Sequence, residues 1–126
     1  MNYFTIDEKL PSFNDYQLAC RRNKYEGAKL KSSIEDLIYT YVRWGIVRKT
    51  LFPVKSYPVE IRIEWHERTK KRDVDNIQSS KKFILDALVK QGILIDDGRK
   101  YVKQIRDTVK DDVKDYVLVE IIENGN

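Results

Sequence analysis

Pro58-Val59-Glu60-Ile61-Arg62-Ile63-Glu64-Trp65-His66-Glu67 alternates strictly. Val59, Ile61, Ile63 and Trp65 fall on one face, and Glu60, Arg62, Glu64 and His66 on the other, which predicts a half-buried strand. The stretch continues through Arg68-Thr69-Lys70-Lys71-Arg72 into Asp73-Val74-Asp75-Asn76. From about Asn76 to Lys90, Ile77, Ile84, Leu85 and Leu88 give a helix its buried side, and Gly92 suits the left-handed position that stops it. A strand feeding a helix sets the class: a sheet with helices packed against it.

Upstream, Asn2 to Ile6 has the β-branched and aromatic content of a short strand. Ser12 or Asn14 can cap a helix whose stripe is Ile34, Leu37, Ile38 and Tyr41; one long helix, or two separated near Gly27, should end around Gly45. Downstream, Ile93-Leu94-Ile95 returns to the core. Strands are expected at 101–109 and 116–122, joined as a hairpin turning at Asp111-Asp112, the second a nearly continuous apolar run suited to burial on both faces. Residues 123–126 read as a frayed tail. The expected architecture is α/β (α+β): a small mixed β-sheet with two main helices packed against it.

With 126 residues, 41% of them hydrophobic and 35% charged, the chain suits one domain over 1–126. No apolar run approaches the roughly 20 residues of a membrane span, and Met1-Asn2-Tyr3-Phe4-Thr5 lacks a signal-peptide layout, so a cytoplasmic protein is expected. One cysteine, Cys20, and one histidine, His66, exclude an internal disulfide and a zinc site built from four nitrogen and sulfur ligands. Any metal must be held mainly by oxygen. The formal charge, 24 − 20 = +4, is only mildly basic, but it is clustered: Arg21, Arg22 and Lys24 form one run, and Arg68, Lys70, Lys71 and Arg72 the other. Both runs are candidate DNA contacts.

Asp73 and Asp75 are two apart, so in extended chain their carboxylates share a side and repel unless a hard cation such as Mg²⁺ lies between them. The competing reading is a capping box with Asp75 as N-cap and Gln78 reaching back. An EF-hand loop is excluded, because Gln78 and Ile84 stand where Gly and Glu are needed. Asp96-Asp97-Gly98 reads as a turn; if the chain comes back near the start of the second helix, it would add a third carboxylate to an oxygen cage. Lys82 either pairs with Asp86 one turn on or offsets charge on a phosphate. His66 reads as a surface side chain or DNA contact, and Trp44 and Trp65 as core or interface.

The ordered set Pro58 to Glu64, Arg72-Asp73-Val74-Asp75-Asn76, Lys82-Phe83-Ile84-Leu85-Asp86-Ala87-Leu88 and Gly92-Ile93-Leu94-Ile95-Asp96-Asp97, with Pro11-Ser12-Phe13-Asn14 near the start, resembles the RusA family of Holliday junction resolvases. The resemblance covers about residues 58 to 97. It implies a small, often prophage-encoded α/β homodimer in a bacterial or phage-infected cell. Such an enzyme cuts four-way DNA junctions in recombination and repair and leaves a 5′ phosphate. By the same resemblance Asp73, Asp75 and Asp97 are catalytic and bind Mg²⁺, with Asp96 as an accompanying ligand and Mn²⁺ as the alternative ion, and Lys82 is the catalytic lysine. The chain departs from the family in the stretch Ile77-Gln78-Ser79-Ser80-Lys81, which makes the gap from Asp75 to Lys82 three residues longer. That moves Lys82 about 4 to 5 Å along a helix, so Lys81 or a shifted helix start could compensate. The rival readings are a non-catalytic phage DNA-binding module and a nuclease preferring forks or flaps.

Overall fold

In the computed structural model, which describes residues 1–124, the chain runs β1 (Asn2–Ile6), α1 (Phe13–Arg22), α2 (Lys24–Val47), β2 (Val59–Glu67), α3 (Val74–Gln78), α4 (Lys81–Lys90), β3 (Val102–Asp111) and β4 (Tyr116–Ile122). One mixed sheet, in the order β1-β4-β2-β3, holds all four strands. β2 lies parallel to β3 and antiparallel to β4, and β4 is antiparallel to β1.

The first helical region is two helices, broken at Asn23 rather than Gly27. Asn23 ends α1 and caps α2, its side chain accepting from the Glu26 N–H at 2.8 Å. Gly27 sits inside α2 where a Cβ would lie 2.5 Å from the Cys20 sulfur, so it permits the close approach of the two helices. On α2, Ile34, Ile38 and Val42 are fully buried, with Leu37 and Tyr41 packed at the margin. They join Phe4, Ile6, Ile61, Ile63, Trp65, Ile84, Leu88, Val117, Val119 and Ile121 in one contiguous core.

Two expectations for the strands need correction. β2 is buried along nearly its whole length, because it is the inner strand between β4 and β3: Glu60 and His66, on the face expected to be wet, are 8% and 7% exposed. The closing hairpin does not form. β3 and β4 flank β2 on opposite sides, and residues 112–115 cross its end, the Asp112 N–H donating to the Glu67 carbonyl at 3.0 Å. The reason lies in the side chains. Val117, Val119 and Ile121 of β4 are buried, which an inner position allows, whereas β3 carries Lys103, Arg106 and Lys110 and tolerates an edge. β4 is correspondingly buried on one face and half-buried on the other.

Parallel pairing of β2 with β3 requires a crossover, which α3 and α4 supply. Gly92 has φ +78, as its place after α4 requires. At the other end of the chain, Glu123 accepts from the backbone N–H groups of Lys55 and Ser56, so the expected tail is tied down there; Gly125 and Asn126 lie outside the described residues.

Candidate active site

β2 ends on Glu67, whose side chain points inward with the parity of Ile61, Ile63 and Trp65. It is met by Arg72, which donates from Nε to Glu67 Oε1 at 3.1 Å and from a terminal nitrogen to Oε2 at 2.9 Å. The other terminal nitrogen reaches the Leu10 carbonyl at 3.0 Å. Arg72 is therefore a bidentate clamp closing the 68–72 loop, its guanidinium engaged within the chain rather than standing free as the DNA contact expected of it. Arg68, Lys70 and Lys71 are exposed.

The clamp delivers the chain directly to Asp73 and Asp75. Asp73 stands at the N-cap position of α3 without a side-chain capping bond, and Asp75 lies in the first turn, so the Asp75–Gln78 capping box is not formed. Among the described residues Asp75 accepts only from the N–H of its neighbour Asn76, at 3.0 Å. Among the described residues neither carboxylate has a salt bridge, although the basic run adjoins them. Asn76 Oδ1 is buried and has no hydrogen-bond partner among the described residues.

The longer spacing before Lys82 has a structural account. The extra residues make the turn between α3 and α4, where Ser79 Oγ accepts from the Phe13 N–H at 2.9 Å and donates to the Asn76 carbonyl at 2.6 Å. The turn thus docks the start of α1, and Phe13, Tyr16 and Phe83 pack ring against ring beside it. Helix α4 then begins at Lys81, whose Nζ lies 2.5 Å from Asp107 Oδ2 on β3, while Lys82 is exposed. The other Asp107 oxygen accepts from Trp65 Nε1 at 2.7 Å.

Asp96 and Asp97 do not join the other acids within one chain. The segment 93–95 stays at the C-terminal end of α4: Ile93 and Leu94 donate to the Leu88 carbonyl, Val54 donates to that of Ile93, and Ile95 donates to the Tyr57 hydroxyl. Asp73 and Asp75 precede the N-terminus of α4, a helix of ten residues and about 15 Å. The expected return of the chain to the helix start is therefore corrected: a βαβ crossover sets its two ends at opposite ends of the strands. Among the described residues no three His, Cys, Asp or Glu side chains are grouped to hold a metal ion.

Arg21, Arg22 and Lys24 are exposed at the corner between α1 and α2, one ten-residue helix away from the docked start of α1. His66 is not a surface residue. Its Nδ1 lies 2.9 Å from Asp112 and its Nε2 3.0 Å from Glu64, with the ring stacked on Tyr116 at 4.0 Å. The bond to His66, with help from Lys110, holds the Glu64 carboxyl below its ordinary range. The Asp112 carboxyl is lowered first by the Val113 N–H and then by His66.

Glu67 and Asp107 are not among the residues expected from the sequence, though each carries a signal: Asp107 stands between Ile105 and Val109 at the inward parity of β3, and Glu67 follows Ile61, Ile63 and Trp65 at the inward parity of β2. No family model matches the chain, and no curated protein matches it. Among the described residues no helix is long and apolar enough to cross a membrane.

Proposed function

We propose that the chain is a Mg²⁺-dependent endonuclease acting on branched DNA, with the four-way junction as its substrate. The observation that carries this reading is the pair Asp73 and Asp75, exposed beside a basic segment, neither capping a helix nor paired with a cation, with the unsatisfied Asn76 oxygen next to them. Mg²⁺ is ordinarily held by one or two carboxylates together with water and substrate phosphate, so these donors suit it without a cage of three acids. Mn²⁺ is the alternative ion. When bound, such an ion lowers the pKa of a coordinated water and polarises the phosphate.

Asp73 and Asp75 would hold the ion, while Arg68, Lys70 and Lys71 position the phosphodiester and Arg21, Arg22 and Lys24 extend the track along the duplex. A four-way junction is close to two-fold symmetric, so paired incision calls for a homodimer. In that dimer the partner subunit's Asp97, with Asp96, would approach the Asp73–Asp75 end of the first protomer and complete its acids. The setting that follows is the cytoplasm of a bacterial or phage-infected cell.

The test compares a four-way junction, a fork, a flap and a linear duplex in one cleavage gel with Mg²⁺. Cutting of the junction by symmetric nicks, abolished in Asp73→Asn and Asp75→Asn with binding retained or strengthened, is the expected result. Preferential cutting of the fork or flap reassigns the substrate; junction binding without cleavage makes the chain a DNA-binding module; robust cleavage by the variants defeats the acid assignment.

A further inference from the structure

Resting on the nuclease reading, we propose that Asp107 is a positioning residue: it holds the Lys81 ammonium at the acid end of the crossover, and Lys81 rather than Lys82 supplies the cation that offsets charge developing on the phosphate. Asp107 is on an edge strand, yet its side chain is only 7% exposed. Such a carboxylate needs partners for both oxygens, and it has two: the Trp65 indole N–H on Oδ1 and the Lys81 ammonium on Oδ2. Trp65 is itself 1% exposed, so Asp107 is fixed from beneath by a side chain that cannot move.

Lys81 is the opposite case. It remains 35% exposed, and an ammonium carries three N–H donors, of which Asp107 takes one. The remaining donors are available to a phosphate oxygen while the stem stays in place. A free lysine has to surrender rotamer freedom on meeting its target, whereas a tethered one has already done so. Lys81 lies just past the α3–α4 turn, six residues after Asp75, and α3 packs against β3, the strand that carries Asp107. Lys82 has no comparable anchor among the described residues and is exposed. Both strands of β2–β3 therefore act on the site through α4: Trp65 fixes Asp107, and Asp107 fixes Lys81.

The substitution Asp107→Asn isolates the idea, because an asparagine oxygen still accepts from Trp65 while its NH₂ no longer attracts an ammonium. With the full-length protein, single-turnover cleavage of a four-way junction in Mg²⁺ should show kcat reduced about 10- to 100-fold with KM changed less than about twofold, and circular dichroism unaltered. Lys81→Met should lose at least as much, and the double variant should lose no more than Lys81→Met alone, since Asp107 acts through the lysine. Lys81→Arg should recover much of the rate. Unchanged kcat in Asp107→Asn, additive losses in the double variant, or a larger loss in Lys82→Met than in Lys81→Met overturns the assignment and leaves the nuclease reading standing. No junction cleavage by the unaltered protein overturns both.

Discussion

Arg72 and Lys71 are neighbours of the same charge, and the structure gives them different work. Arg72 is clamped to Glu67 and the Leu10 carbonyl, with side chains only 14% and 6% exposed for the ion pair. Removing one member of such a pair leaves the other buried and uncompensated. Arg72→Met should therefore lower unfolding free energy by about 3–5 kcal/mol in urea titration. Lys71→Ala should stay within about 0.5 kcal/mol of the parent and instead weaken DNA binding, with a flatter dependence of log affinity on log salt. Equal loss of stability in both would mean the clamp has been misjudged. Charge runs are legible in a sequence; which member turns inward is not, because that depended here on Glu67 sitting at the inward parity of β2. The freedom of Asp73 and Asp75 was likewise open between cap and ligand until the N-cap position proved to lack its capping bond. If those carboxylates accept an ion, millimolar Mg²⁺ should raise the melting temperature of the unaltered protein and leave that of Asp73→Asn nearly still.

The strands and helices were readable where pattern is local. β1, the alternation of β2, the apolar stripe of α2 and the stop at Gly92 all follow from spacing and backbone preference. The pairing of β3 was not, since a short polar connection between two strands ordinarily signals a hairpin. What decided it was competition for the inner position, won by the apolar face of β4. The connection 112–115 then becomes a brace across the end of β2, where His66 bonds Asp112 and Glu64 together. Each ring nitrogen thus lies within hydrogen-bond distance of one carboxylate, at 2.9 Å for Asp112 and 3.0 Å for Glu64. With the Glu64 and Asp112 carboxyls lowered, the folded chain binds fewer protons than the unfolded chain in acid. Their stabilisation is therefore complete above the ordinary carboxylate range near about pH 4 and disappears as the pH falls through the lowered values. Melting temperature against pH should drop steeply below that range in the parent. His66→Phe, which keeps the stack on Tyr116 but takes the bonds away, should give a shallower slope, whatever its absolute stability; superimposable slopes would remove His66 from the account.

At the scale of the molecule, the crossover that makes β2 and β3 parallel also parts the acids. Sequence order put Asp73, Asp75 and Asp97 within one motif set, but motif order carries no information on which end of a sheet each residue reaches. Topology does: one acid pair leaves the end of β2, and the other enters at the start of β3. In a two-fold dimer the two pairs can meet only between protomers, and this has a consequence that a site within one chain does not share. A protomer carrying Asp73→Asn and Asp75→Asn keeps Asp97, and a protomer carrying Asp97→Asn keeps the other two. On the proposed reading, with the partner's acid required for cutting, each homodimer should be inactive. When the two are mixed under exchange, one site of each mixed dimer combines three altered positions and the other combines three intact ones. Mixing should therefore restore nicking of a four-way junction in about half of the dimers if exchange is random, each event cutting one strand and not two. If all three acids instead serve one protomer through a rearrangement of its own chain, no mixed dimer contains an intact set, and the mixture should stay as inactive as its parts.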